Sequence, residues 1–192
     1  MDLTTGTPKE KNDRAKKMML WFGIVSLIMG FAGWTSAYIV SSTREDWLSD
    51  LQLPSSFLYS TLVLVLSSIT YMMAKSAVKA DNSKMCTRWL LLTLVLGVSF
   101  ILLQFNGFSQ MIAQGYYFTG PTSSITMSYI FLIAVVHILH VVAGLISLLV
   151  VLYRQTKGKY SSKEYLGLEL GATFWHFLDL LWVYLILFFY FY

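Results

Sequence analysis

The sequence predicts an all-α integral membrane protein, a bundle of five transmembrane helices with its N-terminus inside and its C-terminus outside. Three observations carry that reading. First, 56% of the 192 residues are hydrophobic and only 12% are charged, against roughly 25% charged in a soluble domain. Second, five apolar stretches, about 18–40, 54–78, 86–112, 124–153 and 165–192, each exceed the ~20 residues needed to cross a ~30 Å hydrocarbon core. Third, the basic residues fall on one side. Lys9, Lys11, Arg14, Lys16 and Lys17 precede the first span, Lys75, Lys79, Lys84 and Arg88 surround the second turn, and Arg154, Lys157, Lys159 and Lys163 follow the fourth span, leaving Arg44 alone on the opposite side. Cytoplasmic loops collect Lys and Arg, so this asymmetry sets the orientation.

The elements follow in order. Residues 1–17 form a polar cytoplasmic tail and residues 18–192 the transmembrane domain, which leaves no room in this sequence for a soluble catalytic domain. The first span has too long an apolar run for a signal peptide and precedes four more spans. Along it Gly23, Ser26, Gly30, Gly33 and Ala37 step by three and four residues, a ridge that permits close helix contact. Pro54 and Pro121 stand where the second and fourth spans begin, positions at which proline removes no helical hydrogen bond. The third span carries Gln104, Gly107, Gln110 and Gln114 on one side, and the fourth carries His137, His140, Gly144 and Ser147. Trp21, Trp34, Trp47, Trp89, Tyr190 and Tyr192 lie near span ends, where amphipathic rings favour the membrane interface. The net charge of +4 reflects this topology; the cations flank spans and form no separate patch for nucleic acid.

The fifth span holds the chemistry. Glu169, His176 and Asp179 sit within an otherwise apolar run, and at helical spacing they fall within roughly 80° of one another. Ionisable groups at that depth are costly and normally face the bundle interior with a partner. His137 lies ~20 Å below the outer start of its helix and His176 ~16 Å above the inner start of the next. A His-to-Asp or His-to-Glu contact across the last two helices is therefore expected. His137, His140, Glu169, His176 and Asp179 make up the candidate polar cluster, structural or in contact with lipid headgroups.

Metal or haem binding by these groups is the weaker reading. His137 and His140 share one helix face and cannot supply opposite axial ligands to a haem, and buried polar pairs need no metal. Cys86 is the single cysteine, read as an inert thiol. No phosphate loop, nucleophile elbow or HExxH is present, so no catalytic residue is assigned.

The residues of the last two spans resemble a known family. LGLELGATFWHFLDLLWVYLILFFY, with Glu169, Trp175, His176, Phe177, Asp179 and Trp182, is similar to the final helix of subunit III of haem-copper terminal oxidases. HILHVVAGL, with His137, His140, Val141 and Gly144, resembles the preceding helix, and LGVSFILLQ, Leu96 to Gln104, resembles the third span's counterpart. The likeness covers all five spans, is specific in the last two and is weakest in the second. It implies a five-helix form, without the two extra N-terminal helices of seven-helix members. It further implies a non-catalytic subunit in aerobic respiration that packs on subunits I and II, binds phospholipid and supports stability and proton uptake in a bacterial cytoplasmic membrane. Haem and copper would lie in the partner subunits, with none in this chain; membership of a larger respiratory supercomplex stays open. Two positions depart from the family: Leu27 and Gly107 stand where many members carry a glutamate, which leaves in doubt any direct part in proton delivery. The alternatives are subunit III of a quinol oxidase, the accessory subunit of a nitric oxide reductase, and, in another class, a small membrane transporter. Transporters commonly carry paired repeats and broken helices, and neither is visible here.

The basic asymmetry generates one prediction. A topology reporter fused after Tyr192 is active only outside the cytoplasm, and cytoplasmic activity of that fusion would overturn the orientation.

Overall fold

The computed structural model describes residues 6–48, 53–120 and 123–192. Among them are five helices, α1 (Pro8–Ser41), α2 (Ser55–Lys79), α3 (Ser83–Ala113), α4 (Ile125–Thr156) and α5 (Leu166–Phe191), each long and apolar enough to cross a membrane. Helix is the only regular solution here, because an apolar surrounding offers no hydrogen bonds to an open backbone. Four of the five helices end within about three residues of the expected spans. The exception is the start of α1, ten residues earlier than expected, inside the polar tail. Its cause is local. Thr7 accepts from the Glu10 N–H at 3.3 Å while its own N–H donates to Glu10 Oε2 at 2.8 Å. Pro8 occupies the first helical turn. This reciprocal capping box in T-P-K-E starts a helix in water before the apolar run begins.

Pro54 caps α2 as expected, whereas Pro121 lies outside the described residues. The α2–α3 connection is only Ala80, Asp81 and Asn82, with Asp81 at φ 53° and the Asn82 side chain accepting from Met85 N–H at 3.1 Å. The Asp81 carboxylate also accepts from the Ser162 hydroxyl at 2.7 Å and from its backbone N–H at 2.8 Å. These donors hold Asp81 below the usual carboxylate range and fasten the α2–α3 turn to the α4–α5 connection.

Four helices close a ring: α2 packs on α3, α3 on α4, α4 on α5, and α5 returns to α2. α1 lies outside it, touching α4 and α5 but, among the described residues, neither α2 nor α3. Two glycines decide how tightly the ring closes. A Cβ at Gly97 would come within 2.8 Å of both Leu145 and Trp175, and one at Gly144 within 3.0 Å of Leu178 and 3.2 Å of Trp175. The Trp175 indole of α5 therefore rests on bare backbone of α3 and α4 together, the close approach that small residues allow in membranes.

The glycine ridge of α1 does not play that part. Gly23, Gly30 and Gly33 have no heavy atom within 4 Å of a Cβ position, and α1 instead turns Ile24, Phe31, Thr35 and Tyr38 inward. The ridge faces outward, a correction to the expected helix contact within this chain. Step spacing shows that a face can be approached closely; it does not select the neighbour. Trp47 also differs from a lipid-facing belt residue, since its ring meets Tyr38 edge-on at 4.7 Å.

Gly97→Leu is expected to destabilise the bundle by about 1–3 kcal/mol through overpacking against Trp175, read as a lower unfolding temperature in mild detergent. Gly30→Leu, in open space, is expected to leave that temperature unchanged. Equal behaviour of the two would contradict the packing described.

Candidate functional site

The buried surface between α2 and α5 is lined by hydroxyl groups at helical repeat positions. Thr61, Ser68 and Lys75 of α2 are seven residues apart, about two turns each, so they lie on one line. Each meets a polar group of α5. Trp182 Nε1–H donates to Thr61 Oγ1 at 3.1 Å. Ser68 Oγ lies 2.5 Å from His176 Nδ1. Lys75 Nζ approaches Glu169 Oε1 at 3.8 Å, and Lys17 of α1 reaches the other carboxylate oxygen at 3.0 Å. One residue to the side, Trp175 Nε1–H donates to Ser67 Oγ at 3.0 Å. A second seam joins α2 to α3: Gln104 Nε2–H donates to Ser60 Oγ at 2.8 Å, and Thr70 shares a hydrogen bond with Thr93 at 2.8 Å.

The residues expected to form one polar cluster separate into three environments. Glu169, about one-third exposed, is an ion-pair partner for two lysines near the basic end of the bundle. His176 and Asp179 lie deeper on the same side; Asp179 is 4% exposed and neither of its oxygens has a hydrogen-bond partner. His137 is fully buried on α4 and bonds to nothing through either ring nitrogen. Its ring stacks on Trp182 at 5.0 Å and 25°, with the edges of Phe100 at 6.1 Å and Phe31 at 6.4 Å around it. His140 Nδ1–H donates to Val136 O at 2.7 Å, and its ring meets Phe31 at 5.9 Å.

The expected His-to-Asp or His-to-Glu contact across α4 and α5 is therefore absent. Glu169 and His176 turn to α2, while His137 turns into the aromatic interior level with Trp182. Among the described residues, no three His, Cys, Asp or Glu side chains converge as a metal site would require. Sequence reasoning missed Thr61, Ser67, Ser68 and Lys75 as partners of α5, although the seven-residue spacing of Thr61, Ser68 and Lys75 was a readable signal. The face of α3 was half correct, since Gln104 and Gly107 are buried while Gln110 and Gln114 are exposed. At Gly107 a Cβ would meet the Phe57 ring at 3.0 Å, so an aromatic ring occupies the space beside that position. Leu27, beside the buried Ile24 and Phe31, is half-buried on α1.

At the basic end an open recess of about 570 Å³ lies between the start of α1 and the α4–α5 connection. Lys9, Lys16, Arg154, Lys159 and Lys163 border it, with Asp13 and Glu164 among them. Lys9 is paired with Glu164.

Against known proteins, a family model described as Cytochrome c oxidase subunit III matches residues 34–192, beginning within α1. Cytochrome c oxidase subunit 3 of Spodoptera frugiperda is 32% identical over 131 residues, 67% of this chain and 83% of that one. Cytochrome bo(3) ubiquinol oxidase subunit 3 of Buchnera aphidicola subsp. Schizaphis graminum is 32% identical over 178 residues, 91% of this chain and 93% of its own length. Cytochrome c oxidase subunit 3 of Loxodonta africana is 35% identical over 143 residues; that alignment takes in 73% of this chain and 50% of the longer relative.

The bonds from indole to hydroxyl between α2 and α5 are testable as pairs. Trp175→Phe and Ser67→Ala, singly and together, should reveal a coupling energy of about 0.6 kcal/mol in a double-mutant unfolding cycle. Strict additivity would show that the 3.0 Å contact contributes nothing.

Proposed function

This chain belongs to the cytochrome c oxidase subunit III family, and from that premise we propose that it is a non-catalytic, membrane-embedded subunit of a haem-copper terminal oxidase. Haem and copper belong to partner subunits I and II in this reading, and this chain supplies packing surface, bound phospholipid and support for proton uptake. The observation that carries it is the family match over residues 34–192, which takes in the end of α1 and all of α2 to α5. His137 is enclosed by Trp182, Phe100 and Phe31, and His176 is engaged with Ser68.

Two features support the lipid and partner roles. The basic recess combines several cations with the point where apolar spans begin, a setting that favours an anionic headgroup. The outward glycine ridge of α1, with exposed Phe22, Met29 and Val40 around it, suits close contact with a helix of another subunit. In the proposed orientation the recess faces the cytoplasm of a bacterium, and the multi-pass chain sits in its cytoplasmic membrane. The two electron donors named by the relatives, cytochrome c and ubiquinol, define two versions of this reading. The quinol version is favoured by the near-complete mutual coverage with the Buchnera subunit.

Purification in mild detergent is expected to recover the chain together with haem-bearing subunits, and the complex to show haem absorption. Separated from them, the chain is expected to show none; stoichiometric haem in the isolated subunit would overturn the assignment.

A further inference from the structure

Asp179 is a buried acid without a counter-charge. It is 4% exposed, and no cation or hydrogen-bond donor engages either oxygen in good geometry. An ionised carboxyl enclosed in an apolar bundle would be strongly disfavoured. The proton is the ligand that removes that charge.

The groups leading to Asp179 are arranged in sequence. Ser68 Oγ of α2 lies 2.5 Å from Nδ1 of His176, on the side of α5 that carries Asp179 one helical turn further along. His176 precedes Asp179 by three residues, ~4.5 Å along the helix axis, and is only half-buried. The Tyr71 ring packs 6.1 Å from the imidazole on the α2 side. Seven residues toward the basic end stands Glu169, held by Lys17 of α1 and Lys75 of α2. No described contact joins α1 to α2, so this side of α5 is flanked by helices that do not close over it.

We propose that Asp179 is a proton-binding site of this subunit, loaded through His176 and Ser68 from the basic end of the α2–α5 seam. In the transfer, Nδ1–H of the His176 imidazolium gives its proton to Ser68 Oγ while the Ser68 O–H proton passes to an Asp179 carboxylate oxygen. The carboxylate becomes a carboxylic acid, the imidazolium becomes neutral imidazole, and a hydronium ion from the aqueous phase reprotonates the ring at its half-exposed edge, leaving neutral water. No electron moves. The site rests on the geometry of α2 and α5 alone and does not require the subunit assignment above, although it supplies one route by which such a subunit could hold protons near a partner.

The test uses the intact complex in membranes, with copurification scored separately so that failure of the assembly reading is distinguishable from failure of the proton site. Infrared spectroscopy should show a carboxylic acid C=O band that Asp179→Asn removes and that shifts on transfer to D₂O. Ser68→Ala and His176→Phe should each retain the band and slow its deuterium shift at least about tenfold. Survival of the whole carboxylic acid signal in Asp179→Asn would overturn the proposal. So would unchanged exchange in both seam variants. A measurement without substitutions uses dicyclohexylcarbodiimide, which adds to protonated carboxyls in apolar surroundings. Modification of the peptide containing Asp179 supports the site, and modification confined to Glu169 overturns it.

Discussion

The bundle depends on one contact, the Trp175 indole lying on the backbones of Gly97 and Gly144 while its N–H donates to Ser67 at 3.0 Å. A single side chain of α5 thereby meets α2, α3 and α4. In lipid, no hydrophobic force drives helices together, since acyl chains are as apolar as leucine; close packing and hydrogen bonds must do it. Trp175 supplies both, a large flat surface against bare backbone and a donor satisfied by a hydroxyl. Trp182, two turns along, repeats the arrangement with Thr61 as acceptor and His137 as the stacked face.

Small hydroxyls handle most of the polar load of the interior. Ser60, Ser67, Thr61, Thr70 and Thr93 each bond a neighbouring helix, and all five also bond back to a carbonyl three or four residues earlier in their own. Each thus connects helices without leaving a donor bare if its partner moves. Asp179 and His137 are different in kind, since their polar atoms have no such fallback. A bundle held by hydroxyls tolerates small shifts; one holding an unpaired carboxyl constrains what surrounds it.

Much of this fold was legible as apolar length, because a bilayer-spanning helix must satisfy its own backbone. Helix ends were legible to within about three residues, except at Thr7, where the capping box T-P-K-E lay unread inside a segment judged by polarity alone. The candidate site was legible in its members but not in its partners. Glu169, His176 and Asp179 do share a side of α5, yet that side faces Ser68 and Lys75 of α2, where resemblance to the family was weakest. Chain adjacency of α4 and α5 suggested neighbours, and they are neighbours, but adjacency does not say which azimuth of each helix meets the other. The glycine ridge of α1 failed for the same reason: a periodic face is a property of one helix, while a contact belongs to two.

The position of α1 outside the ring has a consequence for biogenesis. Of the five helices α1 leaves the ribosome before the others, and its only described neighbours are α4 and α5, the last two of the five. At ~5–20 residues per second, it waits on the order of ten seconds in the bilayer without a partner from its own chain. During that interval its glycine-rich side is accessible to any helix nearby. A contact on that side can therefore form before the ring of α2 to α5 has closed.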